Sequence, residues 1–234
     1  VTSPKHQESW KSKWEPEETI DGFRHYRTPL DSPKSVRGYY EIQLIRALCR
    51  RLDEVVSISR PDIIHAHSPV LNAIPALRVG RRHNIPVVYE IRAFWEDAGV
   101  DQGSYRDGSV KYRFVRMLET NACRRADHVI VISEGLNREL LSRGIEGNKV
   151  SIVRNGIQIE DFRGGVPDTG TAARFGLDGR SIIGFFGSFY RYEGLDLLLD
   201  AFALLTDKRA DCSLLLAGGG EMEKSLKEKA QKLK

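Results

Sequence analysis

Between residues 37 and 60, apolar side chains recur at Ile45, Leu48, Leu52, Val55 and Val56, a single helical stripe that must end before Pro61. Asp62 to His67 is a short apolar-rich run closed by Ser68 and Pro69, and it reads as a buried strand. Pro86 to Ile91 and His128 to Ile132 repeat that pattern, and a helix through Leu77 and Val79 to His83 separates the first two runs. Ser109 predicts a cap for a helix whose core face is Phe114, Met117, Leu118 and Ala122. Leu136, Leu140 and Leu141 predict a shorter helix stopped at Gly144, followed by a brief strand at Val150 to Val153. Residues 163 to 180, rich in Gly, Thr and Asp, have the composition of a linker. Beyond it lie a strand at Ser181 to Gly187, a helix at Leu195 to Leu205, a strand at Cys212 to Ala217 and a charged helical tail.

Strands alternating with helices at this spacing imply parallel βαβ units on both sides of the linker. The expected fold is α/β, with a Rossmann-like domain at 1–162 and the start of a second at 181–234. Ligands of such sheets sit beyond the carboxyl ends of strands. Those ends are His65 to Pro69, Glu90 to Asp97, Ser133 to Gly135, Gly187 to Gly194 and Gly218 to Glu221.

With 41% hydrophobic and 29% charged residues, the 234-residue chain has the composition of a folded globular protein, which excludes disordered and fibrous classes. No apolar run approaches the roughly 18 residues of a membrane helix. Cys49, Cys123 and Cys212 are odd in number and far apart, which argues against a disulfide framework or a cysteine zinc site and points to a reducing cytosol. The net charge of +4 lies wholly within the first 160 residues. That excess is too mild for a nucleic-acid binder but suits a surface handling anionic ligands or resting on acidic lipid. The opening Val1, Thr2, Ser3, Pro4 carries neither an initiator Met nor a signal-peptide pattern and reads as a cut end.

His65 and His67 project from one face of their strand, and His67 is nearer the functional edge. His65 reads first as a hydrogen-bonded core histidine and His67 less so. A metal-dependent hydrolase using this His-x-His is an alternative, but it would require further ligands from other strand ends. Glu90, Arg92, Trp95, Glu96 and Asp97 leave the next strand together. There an Arg either pairs with the carboxylates or grips a phosphate, and Trp95 offers a stacking face. Gly187 to Gly194 runs from strand into helix, with backbone N–H groups and Arg191 suited to a diphosphate. Gly218, Gly219 and Gly220 admit a ligand close to the backbone but fit neither GxGxxG nor GxxxxGK[ST].

Taken in order, DIIHAHSP, PVVYEIRAFWED, ADHVIVISEGLNRELLSRGI, NKVSIVRNGIQIEDF, GFFGSFYRYEGLDLLLDAF and LLLAGGGEMEKSL resemble the retaining glycosyltransferases of family 4 with the GT-B fold. The nearest branch is the bacterial one associated with exosortase and exopolysaccharide systems. The resemblance implies an acceptor-side domain carrying His67 and Arg92 as catalytic residues, with Glu90, Trp95 and Ser133 lining its cleft. It implies a second domain binding a nucleotide-sugar through Gly187, Ser188, Arg191, Gly218, Gly219 and Gly220. No metal or other cofactor is implied, so helix dipoles and basic groups would stabilise the leaving diphosphate. The partners implied are a nucleotide-sugar and a glycan or lipid-linked acceptor, in the cytoplasm at the inner face of the membrane. Family members carry Gly-Arg, and a Lys before the second Gly, where Ser188 and Glu193 stand here, and Arg191 is the candidate replacement charge. Those two departures also suggest an alternative, a sugar-binding module that has lost its chemistry. The family's first strand is expected before Val1 and its Glu-x7-Glu donor motif after Lys234, so the 234 residues are expected to be inactive alone and to expose apolar surface.

Overall fold

The structure is a computed structural model that describes residues 1–2, 15–29, 39–162 and 169–233. Two compact units emerge: Val1–Val100 with Tyr105–Asn155, and Asp101–Ser104 with Gly156–Lys234.

The first unit opens with an antiparallel hairpin, β1 (Glu17–Ile20) and β2 (Phe23–Tyr26), in a stretch where no element was expected. Its signal is Asp21-Gly22, whose φ values of 52° and 81° are both left-handed, as a tight two-residue hairpin turn requires. Helix α1 (Tyr39–Ser59) follows the predicted stripe and adds Tyr40, Leu44 and Ala47 to its buried face. Strand β3 (Ile64–His67), helix α2 (Val70–His83) and strand β4 (Val87–Ile91) come next, then the short α3 (Trp95–Asp101). Helix α4 (Val110–Arg125), strand β5 (His128–Val131), helix α5 (Glu134–Ser142) and strand β6 (Val150–Ile152) complete it. The strands form one parallel sheet in the order β3-β4-β5-β6.

Period-two alternation decides what this sheet buries. Ile64, Ala66, Val87, Tyr89, Ile91, Val129 and Val131 point into a core shared with Val56, Ala73, Ala122 and Leu140 from the helices. Their neighbours His65, His67 and Glu90 point the other way, and that reversal creates the site described below.

The expected core face of α4 is corrected. Ser109 does cap this helix, its Oγ accepting from the Tyr112 backbone N–H at 3.3 Å, but Phe114 and Met117 are exposed while Glu119, Ala122 and Cys123 are buried. The helix turns Glu119 inward because the buried Tyr89 hydroxyl donates to its Oε1. A polar group so deep needs a partner more than the sheet needs another apolar contact. Leu141 of α5 is likewise exposed, while Leu140 is fully buried.

The second unit contains α6 (Thr169–Arg174), β7 (Ser181–Ser188), α7 (Leu195–Thr206), β8 (Cys212–Gly219) and α8 (Glu223–Lys232). Of the expected linker, 163–168 lie outside the described residues and the rest is built into structure. Residues 169–174 are helical, and Arg180 donates to the carbonyls of Ala210 and Cys212 at 2.9 and 2.5 Å, fastening the entry of β7 to that of β8. β7 and β8 pair in parallel over eight residues. Phe185, Phe189, Leu195, Leu199, Leu214, Leu216 and Leu226 pack as the core beneath α7 and α8. Lys229 joins the two helices through the Asp200 carboxylate at 2.6 Å.

Candidate functional site

At the carboxyl ends of β3 and β4 the register sets His67 directly opposite Glu90, with His65 two residues back on the same face. Glu90 Oε2 lies 3.1 Å from His65 Nε2 and 3.5 Å from His67 Nδ1, while Oε1 lies 3.5 Å from Arg92 Nη1. One carboxylate therefore holds two imidazoles with one oxygen and faces a guanidinium with the other. The imidazole rings stack with centroids 4.5 Å apart. The expectation of a core histidine is corrected for His65, whose side chain is 43% exposed, against 53% for His67 and 14% for Glu90. Both rings leave the sheet on the face opposite its apolar core.

Arg92 settles the choice posed by the acidic stretch around it. It pairs with Glu90 through Nη1, and its Nη2 donates to Asn155 Oδ1 at 2.8 Å, so it bridges the end of β4 to the segment after β6, while Glu96 and Asp97 are engaged by Arg143 and Tyr112. Asn155 is a site residue that nothing in its local pattern selects beyond its place after a strand. Ser68 and Asn72 are two more: Ser68 Oγ accepts from the Arg92 backbone N–H at 3.4 Å, and Asn72 Nδ2 donates to the His67 carbonyl at 3.2 Å. Along the edge of β3 a cavity of about 350 Å³ is lined by Leu48, His65, His67, Asn72 and Pro75 among others.

The remaining first-unit candidates are placed differently. Trp95 begins α3 and is exposed, its carbonyl accepting from the Tyr105 hydroxyl at 3.1 Å. Ser133 caps α5, its Oγ accepting from the Leu136 N–H at 3.3 Å, which fully explains a serine there. Glu96 is fully buried with its Oε1 2.6 Å from Arg143 Nη1, a close charge pair and not an aligned hydrogen bond. Arg143 also stacks 3.9 Å over the Phe94 ring and donates from Nε to Glu139 at 3.0 Å. Burial pushes the Glu119 carboxyl up to about 7 and the Cys123 thiol up to about 12.

In the second unit the register pairs Gly187 with Gly218 and Ser188 with Gly219. A Cβ on Gly218 would lie 1.8 Å from the Gly187 carbonyl oxygen, and its φ is +152°, so this glycine is required by the approach of β8 to β7 before any ligand is considered. After β7, Phe189 is buried and hydrogen-bonds to Gly219 and Met222 through its backbone. Arg191 opens a single 3-10 turn closed by left-handed Gly194, from which α7 starts without a side-chain cap. The Arg191 backbone N–H donates to Glu221 Oε1 at 3.4 Å, which puts a carboxylate where an anion would approach. Tyr190 and Tyr192 stack beside this turn with centroids 5.4 Å apart.

Comparison with known proteins agrees with this division. Residues 2–156 match the family described as glycosyl transferase 4-like domain, and residues 172–234 match glycosyl transferases group 1. A Staphylococcus aureus capsular polysaccharide biosynthesis glycosyltransferase, CapM, is 27% identical over 125 residues, covering 50% of this chain and 32% of its own. Anabaena HepE, solved in complex with UDP-glucose, superposes with a TM-score of 0.64 at 16% identity over 84% of this chain and 50% of its own. The UDP-GlcNAc 2-epimerase of Neisseria meningitidis bound to UDP-GlcNAc gives 0.56 at 16% identity, over 87% and 53%. The chain thus spans about half the length of these solved structures and about a third of the curated relative. The α/β architecture of parallel sheets is that of incomplete GT-B folds. The match over 2–156 takes in most of the chain and ends where the first compact unit ends, and on that ground the chain belongs to the glycosyl transferase 4-like family.

Proposed function

We propose that the protein transfers a sugar from a nucleotide-sugar to a glycan or lipid-linked acceptor with retention at the anomeric carbon, and without a metal in the transfer step. The observation that carries this reading is the convergence of His67, Glu90 and Arg92 at the carboxyl ends of adjacent parallel strands, where α/β sheets take their ligands. His67 and Arg92 act on the reacting groups. Glu90 is a positioning residue: it orients His67 through Nδ1, so that Nε2 is the atom offered to the substrate. In the second unit, Gly187, Ser188 and Arg191 receive the diphosphate, assisted by the amino end of α7, with Gly218, Gly219 and Gly220 shaping the adjacent backbone. The protein works in the cytoplasm at the inner membrane face. The net positive charge of the first 160 residues supports that placement, and no helix among the described residues is long and apolar enough to cross a membrane.

The test uses the protein isolated from its own cells. UDP- and GDP-sugars are screened by thermal shift, and products are examined by NMR. Retention at the anomeric carbon is expected; inversion, or no turnover with any donor, overturns the reading. Arg191→Ala should weaken donor binding on the order of tenfold, the worth of one charge-assisted contact. Unchanged donor affinity would remove Arg191 from the phosphate site.

A further inference from the structure

We infer that His65, His67 and Glu90 form a binding site for a first-row divalent cation, with zinc or cobalt the best match. The three donor atoms lie within 4.8 Å of one another, two imidazole nitrogens and one carboxylate oxygen. They belong to two hydrogen-bonded parallel strands, not to loops, so their spacing is set by the sheet. Bonds of about 2.0–2.2 Å to a tetrahedral zinc put neighbouring ligand atoms roughly 3.3 Å apart. The observed separations from Glu90 Oε2 are 3.1 Å to His65 Nε2 and 3.5 Å to His67 Nδ1, so both imidazole nitrogens already stand at ligand spacing from the carboxylate oxygen. Two imidazoles and a carboxylate select zinc, cobalt or nickel over magnesium or calcium, which prefer all-oxygen sites.

The histidines are half-exposed, so the cation can enter from solvent and keep water in its remaining positions. Arg92 opposes it electrostatically, but its Nη1 approaches the other carboxylate oxygen and its Nη2 is held by Asn155. The cation is not placed in the transfer reaction. It engages Nδ1 of His67 and the same oxygen of Glu90 that otherwise orients that ring. Binding is read on the chain alone, so this inference stands or falls separately from the proposed transfer.

Cobalt(II) is titrated into the metal-stripped 234-residue chain and followed by visible absorption, with zinc competition and calorimetry giving stoichiometry. One equivalent is expected. His65→Ala, His67→Ala and Glu90→Gln should each weaken binding at least about tenfold, since even outer-shell partners of a metal are worth that much. His83→Ala should leave it unchanged. His83 meets Asp53 at 3.0 Å in a comparable His–carboxylate contact, but among the described residues no second imidazole joins it. Far-UV circular dichroism checks that each variant folds. Should one fail, zinc protection of His65 and His67 against diethylpyrocarbonate, read by mass spectrometry on the unaltered chain, replaces it. No saturable binding below millimolar cobalt, binding that survives all three substitutions, or absence of protection overturns the site.

Discussion

Strands β4 and β7, one from each unit, are both apolar and both parallel-paired, yet they meet opposite fates. In β4, Val87, Tyr89 and Ile91 are almost completely buried. In β7 the sequence SIIGFFGS is at least as hydrophobic, but seven of its eight residues are exposed, Phe186 at 75%. β4 has a hydrogen-bonded strand on each side and helices over its apolar face, whereas β7 among the described residues has β8 on one side only. Burial is therefore set by neighbours as much as by composition, because an apolar side chain leaves water only where another element covers it. The second sheet is held by its eight-residue parallel ladder and by the core on one face, under α7 and α8.

If the first unit depends on buried partners, the largest effect should come from Arg143→Met. It leaves Glu96 buried and unpaired, at a cost of about 3–5 kcal/mol in urea unfolding of the first unit. A loss under about 1 kcal/mol would show that water or a proton replaces the guanidinium.

Glu119 gives the next largest effect and a sign that can be checked. Its folded value, about 7, lies above its ordinary 4.5, so the fold prefers the neutral acid. That preference is fully present below pH 4.5 and is lost as pH rises to about 7, a decline on the order of 3 kcal/mol. Glu119→Gln should flatten this slope in melting temperatures measured from pH 4.5 to 8. A slope equal to that of the unaltered protein would assign it to other groups.

The contrast between the two sheets is sharpened by a pair of substitutions in the second unit. Gly218→Ala should cost about 1–3 kcal/mol because the new methyl meets the Gly187 carbonyl. Phe186→Ser should change stability by less than about 0.5 kcal/mol, since its ring is mostly in water already. If Phe186→Ser is the costlier of the two, another element covers β7 in solution.

Ser133→Ala offers the smallest test. Loss of a cap costs about 1 kcal/mol. Because that role accounts for the residue, donor and acceptor affinities should stay unchanged, and a shift in either would restore Ser133 to the site.

The order of strands and helices was legible in the chain because period-two and period-3.6 patterns are local properties. Ser109 and Ser133 as caps, Gly144 as a helix stop and Asp21-Gly22 as a hairpin turn can likewise be read from a few adjacent residues. So can the common face of His65 and His67, which follows from strand geometry alone. Only the tertiary structure decided that Glu90 comes between them, since that depends on the register of β3 with β4, which sets His67 opposite a residue 23 positions further on. Only it turned Glu119 inward and sent Phe114 and Met117 to water, because the partner that calls for Glu119 is a tyrosine hydroxyl on a different strand. Only it joined Arg92 to Asn155, residues 63 positions apart, while leaving it in reach of Glu90 and not of Glu96. Patterns along a chain encode which way a side chain faces; what it meets there is fixed by the packing of elements distant in sequence.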